Sequence, residues 1–173
     1  VDKQQQQHEE INFNVLMSVR EGLKELVNRK CNEDFLSFVK KFAPLLVSDF
    51  VMGKHIELIA EKLQKVESGE IKRLMVFLPP RSSKSVICSK LFPAWYIGKH
   101  DNHEIMSISH SDQLASDFGR SVRDIVSEDS FQKVFNGVLL RQDVRAAGKW
   151  KTSGGGSYYA AGVRSQIAGR GAH

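Results

Sequence analysis

One short segment of the chain combines the residue types that hold nucleotide phosphates. Residues 74–85 read LMVFLPPRSSKS: an apolar run, a proline pair, a polar loop, and then Lys84 and Ser85 where an amphipathic pattern begins. In a P-loop, backbone N–H groups and a helix N-terminus surround the phosphates, a lysine reaches the β- and γ-phosphates, and the next hydroxyl binds Mg²⁺. The segment therefore predicts a site for ATP and Mg²⁺.

The segment departs from the P-loop consensus at both glycines, which are replaced by Leu78 and Ser83. A turn residue before the lysine commonly needs positive φ, which costs a non-glycine residue about 1–2 kcal/mol. From the residues alone, an ordinary polar turn remains an alternative to a nucleotide site. The residues that the nucleotide interpretation assigns to the cofactor are Pro80, Arg81, Ser82, Ser83, Lys84 and Ser85, with Ser85 also on the magnesium ion.

The first 70 residues predict a helical segment after a polar tail. Residues 1–10 include four consecutive glutamines and predict a disordered tail. Residues 11–70 contain three segments whose apolar residues recur with the period of a helix. The second predicted helix is capped near Asp34 and ends near Pro44, and the third ends at Gly69. The first pattern places Val15, Val19, Leu23 and Leu26 on one helix face.

From residue 71 onward the pattern alternates between strands and helices. Residues 74–78 predict a strand that is covered on both faces, and residues 84–97 predict a helix that is kinked at Pro93. Residues 105–109 predict a second strand, and Ser111 is expected to cap a further helix. The order predicts a parallel sheet with helices on both faces. Short β-segments follow residue 130, the last two separated by three consecutive glycines.

The composition excludes several classes of protein. The 173 residues are 41% hydrophobic and 26% charged, as in a globular domain, and no apolar run approaches the roughly 20 residues of a membrane helix. Cys31 and Cys88 lack metal-ligand spacing and predict free thiols in a reducing compartment. His100 and His103 predict a solvated loop. The net charge of +5 permits nucleic-acid contact without requiring it.

Several motifs in sequence order resemble the ATPase domain of bacteriophage large terminase subunits, the motors that package DNA into procapsids. The resemblance covers about four-fifths of the chain, from residue 35 onward. Its motifs are His55-Ile56-Glu57, residues 63–69, residues 73–85, Phe92-Pro93-Ala94-Trp95, residues 114–120, residues 150–160, and Gly169-Arg170-Gly171-Ala172.

The resemblance implies an α/β fold of the additional-strand P-loop NTPase type, followed in relatives by a nuclease domain. It implies that Lys84 and Ser85 bind ATP and magnesium, that Arg81 contacts phosphate, and that His55 lies on the adenine side. Arg170 is the first candidate for an arginine finger that acts on the ATP of a neighbouring subunit. The alternative candidates are Arg120, Arg123 and Arg164. For each of the four, the competing interpretation is a surface arginine or one that contacts DNA phosphate.

The resemblance also implies partners and a place of action. Expected partners are double-stranded viral DNA, the portal protein and the small terminase subunit, with a homo-oligomeric ring for the full-length protein and no membrane. The expected compartment is the cytoplasm of an infected bacterium, for a phage or prophage protein.

One element of the family is not found in the sequence. No apolar run closes in the paired acidic residues of a Walker B strand, and the nuclease is missing. We therefore expect residues 71–173 to be a partial P-loop ATPase domain with an incomplete sheet, an N-terminal fragment that does not hydrolyse ATP alone. Alternatives are another P-loop ATPase, such as a helicase-like enzyme, or a non-catalytic basic module that binds DNA or protein; the downstream reading frame would discriminate among them.

Overall fold

The computed structural model describes residues 2–165, 167 and 171–173, with side chains from residue 13 onward. The elements are a set of N-terminal helices followed by a four-stranded sheet with helices. In chain order they are α1 (Asp2–Glu33), α2 (Phe35–Leu46), α3 (Lys54–Glu67), a π-helical segment (Val86–Leu91) that runs into α4 (Phe92–Lys99), β1 (Glu104–Ser109), α5 (Asp112–Ser127), α6 (Asp129–Gln132), β2 (Leu140–Ala146), β3 (Lys149–Thr152) and β4 (Ser157–Gly162).

The predicted start of the second helix and the predicted stop of the third are confirmed. The Asp34 carboxylate accepts a hydrogen bond from the amide of Ser37 at 2.7 Å and caps α2. Gly69 follows α3 with φ of 78°, a conformation that favours glycine. Pro44 does not end α2, which continues to Leu46, because a proline in the last turn removes only one donor and the amide of Val47 still bonds to Ala43 at 3.0 Å.

The first helix differs from its prediction at its start, and its predicted apolar face is left exposed. Helix α1 extends back to Asp2, through the residues for which the sequence predicts a disordered tail. Glutamine and glutamate are good helix formers, and no proline interrupts them. The apolar face of α1 is exposed, since Val19 and Leu23 retain 54% and 58% of their accessible surface.

A single helix runs from Lys84 to Lys99, as predicted, but Pro93 is accommodated differently from a simple kink. The π-helical segment places the amide of Phe92 on the carbonyl of Ile87, so the helix widens one residue before the proline. The helix ends at Lys99, two residues beyond the predicted residue 97, and includes Gly98, where a Cβ would lie 2.6 Å from the ring of Phe135.

Residues 74–78 do not form the predicted strand. They are extended but pair with no strand of the described residues. Their burial alternates with period two: Leu74, Val76 and Leu78 pack against the core, whereas Met75 and Phe77 are 81% and 84% exposed. The prediction that both faces are covered is therefore wrong, because only one face meets the helical core.

The sheet is mixed, so the prediction of a parallel sheet is wrong. Its order is β1-β4-β3-β2; β1 and β4 are parallel, and the other two pairs are antiparallel. The three glycines between β3 and β4 form a tight turn with Gly155 at φ of 98°, and such a short connection joins only antiparallel strands. In the described part of the chain, α5 is the helix that packs extensively on the strands, so helices on both faces are not observed.

The two tryptophans tie the helices to one another and to the sheet. Trp95 is fully buried, and its indole N–H donates to the carbonyl of Cys31 at 3.0 Å, which links α4 to the end of α1. Trp150 stacks on Tyr158 with ring centroids 5.0 Å apart and donates to the carbonyl of Gly119 at 3.2 Å. Both donors are satisfied in the core, as burial of an indole requires.

Close packing of α5 on the sheet predicts a cost for adding one methyl group. A Cβ at Gly119 would lie 2.4 Å from the carbonyl oxygen of Ala147. We expect Gly119→Ala to lower the free energy of unfolding by about 1–3 kcal/mol, because backbone must move to make room. The measurement is urea denaturation followed by circular dichroism.

The matched control is Gly22→Ala, since a Cβ at this helical glycine meets no atom within 4 Å. This variant should be neutral or up to about 1 kcal/mol more stable, because alanine is the better helix former. Equal losses in the two variants would contradict the packing explanation.

Candidate nucleotide site

Two residues of the loop before Lys84 have a left-handed backbone conformation. Ser83 has φ of 58° and Arg81 has φ of 62°, the two non-glycine residues with positive φ in the described chain. The expectation that Ser83 occupies a position favouring glycine is confirmed. Left-handed residues next to right-handed ones curl the chain, and such curled segments are known to present backbone amides to anions.

The amides of this loop have no protein acceptor. Among the described residues, no backbone N–H group from Arg81 to Val86 donates a hydrogen bond of ordinary geometry, whereas the amide of Ile87 bonds to the carbonyl of Ser83 at 3.0 Å. The loop is closed by the Ser82 hydroxyl, which donates to the carbonyl of Pro79 at 2.7 Å. Unpaired amides at a helix N-terminus, with the partial positive charge of the helix, form an environment for an anion.

Lys84 and Ser85 occupy the first turn of the helix beside this loop. Residues 78–86 line an open cavity of about 290 Å³. The Lys84 side chain is partly buried and Ser85 is exposed. Burial raises the pKa of the Cys88 thiol one turn further along, and the charge of Lys84 partly opposes that shift. Lys84 and Arg81 both line this cavity and give it positive charge.

The core fixes the helix that carries these residues. Ile87 and Leu91 are fully buried on the face of the π-helical segment that meets the core. The Lys90 ammonium lies 6.0 Å from the ring centroid of Phe118 and connects the segment to α5. On the other side of the loop, Val76 and Leu78 pack against the same core. The helix after the loop is thus held by buried side chains, and the segment before the loop is held by partly buried ones.

The remaining predicted site residues do not gather around the loop. His55 is exposed at the start of α3, with its ring against Gly53. Arg123 donates to the carbonyl of Arg145 at 2.9 Å and pairs with the neighbouring aspartate, while Arg120 lies 3.6 Å from the carboxylate of Asp117. Arg164 is exposed, and Arg170 lies outside the described residues. The structure therefore brings together residues 78–86 and none of these candidates.

A second cluster of polar side chains was not predicted from the sequence. The rings of His100 and His103 stack with centroids 4.7 Å apart, and those of His103 and His173 stack at 4.4 Å. The Tyr96 hydroxyl lies 3.0 Å from Nδ1 of His103, and Nε2 of His100 lies 2.9 Å from the carboxylate of Glu67. Only the spacing of His100 and His103 across a turn hinted at this stack, since His173 is brought in by tertiary structure.

The described residues contain neither a metal cluster nor a membrane helix. No group of three or more histidine, cysteine, aspartate or glutamate side chains in that part of the chain is arranged to hold a metal ion. None of its helices has the length and apolar character that a membrane crossing requires. Comparison of the chain with protein-family models, curated proteins and solved structures returns no match. The loop geometry is therefore the main structural guide to function.

The positive φ of Ser83 predicts a stabilising substitution. We expect Ser83→Gly to raise the free energy of unfolding by about 1 kcal/mol, because glycine adopts positive φ without a steric cost. Part of the gain is offset because glycine also has more backbone freedom in the unfolded chain. Ser82→Gly is the control: it removes the hydroxyl bond to Pro79 and should give no gain. Thermal and urea unfolding of both variants measure the difference, and a gain in both would contradict a strained Ser83.

The histidine stack predicts a shifted titration. Burial, followed by the charges of His100 and His173, lowers the pKa of His103 below its ordinary value near 6.5. His103 should therefore stay neutral to a lower pH than an exposed histidine, and its stabilising neutral contacts should be lost as the pH falls through its folded-state pKa. The pKa is read from imidazole proton shifts in an NMR titration.

In the same titration, His100→Gln should raise the pKa of His103, because it removes a positive neighbour. His110→Gln, at an exposed position outside the stack, should leave that pKa unchanged. A His103 pKa that responds equally to both changes would contradict the stacked arrangement.

Proposed function

We propose that the chain binds a nucleoside triphosphate, ATP with Mg²⁺, through the loop and helix start at residues 80–85. The observation that carries the proposal is the set of loop amides without protein acceptors, curled by left-handed Arg81 and Ser83 at the N-terminus of a buried helix. Unpaired amides converging on a cavity are what a phosphate group satisfies.

The residues present fit such a ligand. Loop amides would hold the β-phosphate oxygens, the Lys84 ammonium would neutralise phosphate charge, and the Ser85 hydroxyl would serve as a magnesium ligand. Arg81, exposed at the loop tip, would contact the outer phosphate. The bound Mg²⁺ would bridge phosphate oxygens and neutralise their charge. The protein's contribution at this site is binding and charge neutralisation.

We further propose that the chain is part of a DNA-packaging motor of the large terminase class, with double-stranded DNA as its polymeric partner. Support comes from the order of the sequence motifs together with the loop geometry. Three features of the chain agree with a partial ATPase domain: an apolar extended segment before the loop that pairs with no described strand, the exposed Met75 and Phe77 on it, and β1 at the edge of its sheet.

Nucleotide binding tests the first proposal. We expect the wild-type chain to bind a fluorescent ATP analogue in a Mg²⁺-dependent manner, and Lys84→Ala to weaken binding more than about tenfold through loss of a charge-assisted contact. Lys62→Ala is the matched control, because Lys62 is a partly exposed lysine on α3 that pairs with Glu61. Binding is measured by fluorescence titration and by calorimetry.

Equal affinity in wild type and Lys84→Ala, or no binding in either, would overturn the ATP site. Salt-dependent DNA binding that nucleotide does not alter would instead support a non-catalytic basic module. Circular dichroism of each variant checks that the fold is retained.

A further inference from the structure

One histidine is hydrogen-bonded to the outer edge of β1 through two contacts. The amide of His173 donates to the carbonyl of Glu104 at 3.0 Å, and the amide of Glu104 donates to Nδ1 of His173, also at 3.0 Å. In the described sheet, β1 is an edge strand with β4 on its other side. His173 therefore satisfies both backbone groups of Glu104 where a neighbouring strand would otherwise do so.

The bond from the Glu104 amide fixes the protonation state of the His173 ring. A ring nitrogen accepts a hydrogen bond only when it carries no proton, so the proton of the neutral ring lies on Nε2. An added proton has only Nδ1 to occupy. Because a protonated Nδ1 cannot accept, the charged ring and this hydrogen bond exclude each other.

A neighbouring histidine opposes a charge on the same ring. The rings of His103 and His173 are 4.4 Å apart between centroids and 10° from parallel, and His100 stacks on His103 at 4.7 Å. Burial lowers the pKa of His103, and the charges of His100 and His173 lower it further. Like charges at this separation repel each other, so a charge on one ring of the stack disfavours a charge on the next.

The partners of the other two histidines tolerate a charged ring. Nε2 of His100 lies 2.9 Å from the carboxylate of Glu67 on α3, and the ammonium of Lys99 on α4 lies 3.0 Å from that carboxylate. The Tyr96 hydroxyl lies 3.0 Å from Nδ1 of His103 and can either donate or accept. The third ring differs, because its partner is a backbone amide, which can only donate.

The charged groups near His173 do not compensate a proton on its ring. Among the described residues, no carboxylate pairs with this ring. The Glu104 carboxylate accepts from the hydroxyl of Ser157 at 3.2 Å, and the Asp101 carboxylate lies against the turn between β3 and β4. Lys72 lines the same cavity as His173 and adds a positive charge there. Protonation therefore removes a hydrogen bond without creating an ion pair.

We propose that His173 is a proton-operated latch, which holds residues 171–173 on the edge of β1 when its ring is neutral and releases them when its ring takes up a proton. Residues 171–173 are all exposed, so little else retains them. Release would leave the edge of β1 unpaired and remove one wall of a cavity of about 340 Å³, which His173 lines together with Phe92, Tyr96 and Ile105. The latch is closed at the higher pH and opens as the pH falls.

The Glu104 amide reports the state of the latch. We expect its protection factor against hydrogen exchange, taken relative to the intrinsic rate at each pH, to fall more than about tenfold between about pH 7.5 and about pH 5, a range that includes the ordinary histidine pKa. Long-range proton–nitrogen NMR spectra of the ring should show Nδ1 of His173 gaining a proton over the same range. The latch contacts no residue of the nucleotide loop, so this proposal and the proposed ATP site fail independently.

Two substitutions at residue 173 separate the hydrogen bond from the proton. In His173→Asn the side-chain oxygen can replace Nδ1 as an acceptor and does not titrate, so the Glu104 amide should stay protected at both pH values. His173→Lys carries a charge at both pH values and has no acceptor, so the amide should be unprotected throughout. Both changes are made at an exposed position, and circular dichroism checks that the fold is retained.

His110→Asn is the matched control, because His110 is exposed and lies outside the stack. It should keep the pH response of the wild type. A wild-type Glu104 amide with the same protection at both pH values, or a loss in His173→Asn as large as that of the wild type, would overturn the proposal. A response that disappears in His103→Asn but persists in His173→Asn would assign the proton to His103 and also overturn it.

Discussion

The row of phenylalanines on α2 is the interaction on which the other helices depend. Phe35, Phe38 and Phe42 are fully buried and lie along one face of a capped helix. Phe35 meets Trp95 at 5.1 Å between ring centroids, and Phe42 meets Phe131 at 6.3 Å, so one helix face contacts both α4 and the segment after α5. Aromatic side chains bury more area than any others, so this face fixes the relative placement of the helices.

That cluster explains how a loop without glycine at residue 83 can keep a left-handed turn before Lys84. The helix beginning at Lys84 is held by Leu91 and Trp95, both fully buried, and the segment before the loop is held by Leu74 and Val76 against the same core. With both ends of the loop fixed, Ser83 is held in its left-handed conformation. A local cost of about 1–2 kcal/mol is tolerated where the surrounding packing determines the backbone.

Local signals predicted the helices well, and non-local pairing was where prediction failed. The cap at Asp34, the stop at Gly69 and the start at Ser111 depend on neighbouring residues, and each is where the sequence indicates. Strand partners depend on residues far apart in the chain. An apolar run such as residues 74–78 therefore predicted a paired strand, but the described chain offers it no neighbouring strand, and the glycine turn at residues 154–156 made the sheet mixed. In the same way, the stack of His103 on His173 joins residues that no local pattern connects.

The sequence alone predicted a phosphate-binding loop at residues 80–85, because an apolar run, a polar loop and a lysine–serine pair at a helix start are local features. The sequence also predicted positive φ at Ser83, because the turn residue before the lysine of such a loop commonly has this conformation. Only the tertiary structure decided that the loop amides lack protein acceptors, that Arg81 shares the left-handed conformation, and that the apolar face of α1 is left in water. The physical reason is that hydrogen-bond satisfaction and burial depend on what the rest of the chain brings near, whereas caps, turns and helical periods depend on a few neighbouring residues.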